Sequence, residues 1–417
     1  MSSHEHPGAV PPLDLSKWRN VPTLLIVIGA IGALAGLGYG LAHHDGGRQF
    51  AFSWLLGFMF VLSLGVGAWF LVIVHHLFDA SWSVPIRRYC EHIACLLAPA
   101  LLVLFLPVAF LAPKIYPWMS MLNNPDHSLK AKAPLFTYGG FYISAAVCFA
   151  IWWWNTHQLR AWSLKQDTSG SFDCTRKMRM YACSGVVLFA LTVTTASIMW
   201  IKGLMHEWYS TMFGVWYFAA SVWTTLATVY AITLVMQRTT PLRNLIRDKT
   251  YYMIGSLLLA FTVFYAYISF AQYFIIWNAN IPEETFWFVL REKGWWWWFG
   301  QIIIFGHFFV PFLALLRIDV KLTPKFMLPL CAWAWLMHFC DLEFQIMPAL
   351  NTQGAVWAGI LVDACCVLLM VGILAKVFLY YFLKYPPYPQ WDPRMAEALD
   401  MYVPPTHAYA TAPVRAK

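Results

Sequence analysis

Charge is what this sequence most lacks. Of its 417 residues only 12% are Asp, Glu, Lys or Arg, where soluble chains carry about 25%. Hydrophobic residues make up 60% and aromatics 18%. That balance excludes a water-soluble globular enzyme. The formal charge of +8 does not make a nucleic-acid surface either, because the basic residues are spread between apolar runs in the pattern of a positive-inside bias. Cysteine motifs are missing as well. Nine cysteines are scattered without a single C-x-x-C, and Cys365 and Cys366 lie side by side in an apolar run. Iron–sulfur, covalent-haem and structural-zinc signatures are thereby excluded, which leaves thiols acting as small buried hydrophobes. No phosphate-binding loop and no dinucleotide glycine fingerprint occurs. The chain is expected to carry no redox cofactor and no metal of its own.

What is there in abundance is apolar length. A spanning helix needs about 20 mostly apolar residues, and ten such stretches can be placed: Pro22–Leu41, Phe50–Leu77, Cys90–Leu111, Leu135–His157, Tyr181–Lys202, Met212–Val235, Tyr251–Trp277, Trp295–Leu316, Pro324–Asp341 and Gly354–Leu383. The fold class is an all-α polytopic membrane protein with ten transmembrane helices. Most Lys and Arg residues, among them Arg87, Arg88, Arg176, Arg238, Arg317 and Lys384, fall on the side shared by the N-tail, the C-tail and the loops after even-numbered spans. Both termini are therefore expected in the cytoplasm. The first span is too long, and too far behind a proline-bearing tail, to suit a cleaved signal peptide.

An internal repeat is visible. "SVPIRR" (83–88) follows the second span and "TTPLRN" (239–244) the sixth, so Pro85 matches Pro241 and Arg87 matches Arg243. Arg160 and Arg317 end the fourth and eighth spans at nearly the same offset. Two four-helix bundles in parallel orientation, 50–203 and 204–341, are expected. They are flanked by the first helix and loop (22–49) and the last helix with its preceding loop (342–384), with tails 1–21 and 385–417. The proline-rich "PPYPQWDP" of the C-terminal tail reads as extended chain lying on a partner subunit, or as disorder.

Polar residues at membrane depth are candidates for function because their burial is costly. His75, His76, Glu91, His92 and His157 gather toward the cytoplasmic ends of the first unit; His338, Asp341 and Glu343 gather toward the outer ends of the second. His307 lies near the middle of the eighth span. Asp363 lies roughly 14 Å into the tenth, at 1.5 Å per residue. Histidine and carboxylate exchange protons near neutral pH once their surroundings shift them, so two proton half-paths, one open to each side, are expected. The alternatives are residue-specific: His75, His76, Glu91 and His92 as interfacial neighbours of Arg87 and Arg88, Asp341 and Glu343 as loop acids, His307 as an interhelical hydrogen bonder. His338 and Asp341, three apart, can share a helix face.

The stretch "NIPEETFWFVLREKGWWWWFGQ" (280–301) mixes paired glutamates with four tryptophans. It is explicable as architecture. Asn280 can cap a short helix with Glu283 three residues on, the two glutamates suit a helix N-terminus, Gly294 can end that helix, and Trp295–Trp298 suit a membrane interface. Read with "FAQYFIIWNANIPEETFWF" and with "HEWYSTMFGVWYF" (206–218), it also resembles the ActF family of membrane subunits of bacterial alternative complex III. That family is related to the wider NrfD/polysulfide-reductase membrane subunits. Asn280, Pro282, Glu283, Glu284, His206, Trp208, Tyr209 and Ser210 carry the resemblance, which extends over most of the chain and is poorest in the tails.

The resemblance implies a subunit of a quinol:electron-acceptor oxidoreductase in the bacterial inner membrane. Its partners would be a related ActC-like membrane subunit, an iron–sulfur subunit and haem c subunits, together with lipids. A quinone, menaquinone among them, is the compatible ligand, and proton translocation the expected role. One departure matters: the family places an acidic residue and a proline ahead of His-Trp-Tyr-Ser, where this chain reads "LMHEWYS". An aspartate that relatives carry near the end of span five is also missing from "TASIMWIKG". The expected proton route therefore shifts toward Asp341 and Asp363. The alternatives are the quinone-binding anchor of a molybdoenzyme, a secondary transporter, and a structural scaffold without chemistry.

Overall fold

The computed structural model describes residues 18–42, 47–133, 135–238, 245–350 and 357–399. Among them most residues are helical, and there is no strand. Eight helices are long and apolar enough to cross a membrane, and the protein is a multi-pass helical membrane protein. α1 (Val21–Ala42), α2 (Arg48–Leu77), α7 (Phe172–Trp200), α8 (Phe213–Arg238), α9 (Asp248–Ala279) and α15 (Trp357–Lys384) are continuous.

Two of the eight are broken. In the first, α3 (Val84–Ala94) gives way over Cys95–Pro99 to α4 (Ala100–Ile115). In the second, α11 (Gly294–Ile302) widens into a π-helical turn at Ile303–Phe309 and continues as α12 (Val310–Leu315). Pro311 accounts for the position of this bulge: it has no N–H to offer the carbonyl of His307, so the helix must rearrange ahead of it.

Two further long helices, α6 (Tyr138–Ser169) and α14 (Pro324–Ile346), occupy the fourth and ninth expected spans but are less apolar overall. α6 and α7 each run well past their apolar stretches, to Ser169 and back to Phe172, and Gly170 closes α6 at φ +59°. α14 does not stop at Asp341 as the hydropathy suggests; it continues to Ile346, so Glu343 is a helical residue and not a loop acid. Short helices α5 (His127–Ala131), α10 (Pro282–Arg291), α13 (Ile318–Leu322) and α16 (Met395–Ala398) fill the connections and the tail.

α2 is the axis of the molecule. From Ala51 to Trp69 every side chain except Trp54 is buried, because α2 meets α3, α4, α7, α8, α14 and α15. Such an all-round apolar helix is what a central position selects. The packing pairs of the two halves correspond: α2 lies on α4 and α7, and α6 on α7, as α8 lies on α9 and α14, and α11 on α14. The flanking α1 packs on α15. A Cβ at Gly29 would sit 2.4 Å from the backbone of Leu369, so only glycine permits that approach. Of the repeat motifs, 239–244 lie outside the described residues. Arg160 and Arg317 differ in setting: Arg160 is buried over the Tyr381 ring, whereas Arg317 is exposed and paired with Asp319.

Candidate functional site

Polar groups collect in two clusters at opposite ends of α2. At its C-terminal end, His75, His76, Glu91 and His92 are all buried, in the neighbourhood of Arg87 and Arg88. α3 projects Arg87, Arg88 and Glu91 from one turn, and Glu91 pairs with Arg87 at 3.1 Å and with Arg88 at 3.2 Å. His75 bridges Ser83 Oγ at 2.5 Å and the Arg87 guanidinium at 3.0 Å. His76 lies edge-on to His75 and neither of its ring nitrogens has a hydrogen-bond partner. His92 is likewise without a partner and lies beside the rings of Tyr381 and Tyr385. His157 stands apart, half-exposed, bonded to the Trp153 carbonyl at 2.9 Å.

The C-terminal tail completes this cluster, which sequence reasoning missed. Instead of leaving the subunit, residues 385–399 fold back over it. Asp392 pairs with Arg87 and with Arg394; Arg394 reaches Asp79, which also holds Arg179. Asp167 pairs with Arg88 and accepts the Gln390 backbone N–H at 3.0 Å. Ser81 Oγ donates to Glu397 at 2.9 Å. Asp392 lies outside the spans; burial works against its charge, but Arg87 and Arg394 outweigh burial and hold its carboxyl well below the usual range. The signal in the sequence was "WDPR", an acid and a base either side of a proline, which says nothing about where its partners lie. Residues 400–417 of the tail lie outside the described residues.

The second cluster lies between α14, α2, α9, α15 and the π turn. His307, in that turn, is sandwiched between the rings of Trp223 at 3.9 Å and Tyr265 at 3.8 Å, and neither ring nitrogen is hydrogen-bonded. Tyr265 and Gln345 flank the Asp341 carboxyl, yet neither Asp341 oxygen makes a hydrogen bond of ordinary geometry. His338 Nε2 bonds Ser63 Oγ at 2.9 Å and leaves Nδ1 without a partner. Glu343 faces Asp363, and Asp363 accepts from Gln49 Nε2 at 3.3 Å. Asp341, Glu343, Asp363, His307 and His338 are all essentially inaccessible. Among the described residues no Lys or Arg pairs with any of the three acids. Sharing a face of α14 therefore does not bring His338 and Asp341 to one partner, since His338 faces α2 and Asp341 faces α9. Tyr265 and Ser63 were missed as members because each is defined by a facing helix.

Among the described residues the two clusters are not joined by charged side chains. Between Ser63 and His75, α2 offers only the run Leu64–Val74, about 16 Å long at 1.5 Å per residue. The polar groups flanking that run are mostly self-satisfied, such as Trp69 Nε1 donating to Asn155 at 2.7 Å and Tyr89 with Thr233 at 2.6 Å.

The motif residues 206–210 and 280–284 meet at one end of the molecule. Trp208 stacks on Trp287 at 4.5 Å and donates to the Glu284 carbonyl. Arg291, buried, lies 3.5 Å over Trp287 and donates to the carbonyls of Trp287, Phe344 and Gln345. Ser210 accepts from Gln272, and Tyr209 lies under the Lys132 ammonium at 4.0 Å. His206 pairs with Asp126 at 2.8 Å. Asp126 also caps α5 through the Leu129 N–H, and these two bonds, the backbone one first, hold its carboxyl below the usual range.

The capping expected of Asn280 is corrected. Asn280 adopts a left-handed conformation (φ +49°) that terminates α9, and Pro282 opens α10 with no side-chain cap. Gly294, also left-handed, begins α11 two residues after the Glu292 cap of α10. Glu283 and Glu284 occupy the first turn of α10, and of the four tryptophans only Trp296 is buried. Comparison with protein-family models gives no match, and neither does comparison with curated protein sequences.

Proposed function

We propose that this chain is a membrane subunit, without a redox centre of its own, of a quinol:electron-acceptor oxidoreductase of the alternative complex III type, and that its inner acids conduct protons. The observation that carries the proposal is the set of Asp341, Glu343 and Asp363 at membrane depth beside His307 and His338, with no basic partner among the described residues. Such a set is costly unless it serves chemistry. Glu343 facing Asp363 is electrostatically admissible when one proton is held between the two carboxyls, which is a proton-carrying arrangement. The motif packing at 206–210 and 280–284 suits the same reading: stacked tryptophans and a buried Arg291 make a rigid outer platform on which extramembrane electron-transfer subunits can sit.

In this reading the chain has ten spans in two parallel four-helix bundles and lies in a bacterial inner membrane with both termini cytoplasmic. Its partners are an ActC-like membrane subunit, an iron–sulfur subunit and haem c subunits. A quinone such as menaquinone is the substrate of the complex, and the haem and clusters belong to the partners.

The test is proton translocation coupled to quinol oxidation by the purified complex in liposomes, with Asp341→Asn and Asp363→Asn. Each substitution keeps shape and removes the exchangeable proton, so translocation should fall at least tenfold while quinol oxidation in detergent persists. Full translocation by both variants would overturn the relay. Co-purification with a molybdopterin chain and no haem c would overturn the assignment to this complex.

A further inference from the structure

A cavity of about 300 Å³ lies in the half of the molecule that holds Trp18, between α1, α15, α8 and α2. Its walls include Val21, Leu64, Ile232, Val235, Leu374 and Phe378. Among the described residues, the two hydroxyls that line it are already engaged. Thr225 Oγ1 donates to the carbonyls of Ser63 and Leu64; Thr228 Oγ1 donates to the Thr224 carbonyl and accepts from Trp335 Nε1.

Water filling such a volume would need two to four polar partners per molecule, and the walls supply none. Leaving it empty would cost the lining its dispersion contacts. The space is about twice that of an engineered apolar cavity that stays dry and binds benzene, roughly 150 Å³. Hydrocarbon is the occupant this chemistry selects. The charge at its edge narrows the choice. Arg19 follows Trp18, Arg238 closes α8 just beyond the cavity-lining Met236, both are exposed, and neither is paired with an acid among the described residues. Guanidinium groups at a membrane surface favour anionic headgroups.

We propose that the cavity seats one acyl chain of an anionic phospholipid whose phosphate lies against Arg19 and Arg238. The site is independent of the proton path. It wedges a lipid between the α1–α15 pair and α8, where direct helix contact is sparse.

The full-length chain, purified and washed in detergent, tests this by mass spectrometry of retained lipid and by its unfolding midpoint with added probes. A stoichiometric phospholipid should remain bound, and dioleoylphosphatidylglycerol should raise the midpoint of delipidated protein more than dioleoylphosphatidylcholine. Ala375→Phe, which fills the cavity, should abolish both retention and the lipid-dependent shift. Arg19→Gln with Arg238→Gln, surface changes that leave the core intact, should erase the preference for the anionic lipid while acyl-chain binding persists. The proposal is overturned if delipidated protein is insensitive to phospholipid, if the Arg variants keep the anionic preference, or if menaquinone-4 alone raises the midpoint.

Discussion

Asp392 illustrates how a residue in a proline-rich tail becomes structural. Its carboxylate is fully buried between Arg87 and Arg394. Because its folded pKa is depressed, its contribution is present above the ordinary aspartate value of about 3.9 and is lost only as pH falls through the still lower folded value. The tail should therefore stay docked across the neutral range and release only in strong acid, which limited proteolysis of the 385–399 segment against pH will register. Breaking a buried ion pair from one side costs about 3–5 kcal/mol. Asp392→Asn should fall at the lower end, about 3 kcal/mol, because Glu91 still neutralises Arg87. Midpoint measurements on the purified chain, with proteolysis at pH 7, check this; an unchanged midpoint would mean the pair contributes no net stability. Asp363 was singled out by depth, which is readable from hydropathy, and Asp341 by its spacing from His338 and by the departure from the family motif. Glu343 as the neighbour of Asp363 was not, since that contact joins positions on two helices that only packing brings together.

Among the elements, α10 is hydrogen-bonded to α14 through Arg291. Arg291 donates to three backbone carbonyls, two of them in the last turn of α14, and stacks on Trp287. Lysine has the charge but not the planar fork. Losing one charge-assisted hydrogen bond costs about 1.5–3 kcal/mol, so Arg291→Lys should lower stability by about 2 kcal/mol, read as a lower unfolding midpoint. Existence and order of the long helices follow from apolar length, and ends such as Val21, Leu77 and Lys384 fall within a residue or two of expectation. The misplaced ends have a common cause. α6, α7 and α14 continue through polar sequence because their polar residues find partners on neighbouring helices: Asp167 meets Arg88, and Glu343 meets Asp363. Hydropathy ends a helix where the membrane ends, whereas packing ends it where hydrogen bonds and contacts do. The π turn at Ile303–Phe309 was legible only as Pro311, a breaker without an indication of how the helix accommodates it.

At the scale of the molecule, charge and motif residues divide between two ends. Arg88, Asp167, Arg179 and Asp392 mark one; Asp126, His206 and Arg291 mark the other. With Cys183 replaced by serine, a membrane-impermeant thiol reagent applied to intact cells should label Asn124→Cys and Glu207→Cys. Thr168→Cys and Asp319→Cys should react only after the membrane is opened. The reverse pattern would invert the topology. By itself the sequence determined the solvent: too little charge and too many long apolar runs for anything but lipid. Those properties are sums along the chain, and composition reports sums. The tertiary structure alone decided that the tail closes over Arg87, that Tyr265 serves both His307 and Asp341, and that an apolar cavity lies between α1, α15 and α8. Each of these joins residues far apart in sequence, and in a chain where most helix faces are apolar, hydrophobic periodicity cannot say which face meets which. Small-residue approaches such as Gly29 on Leu369 and single polar contacts make that choice.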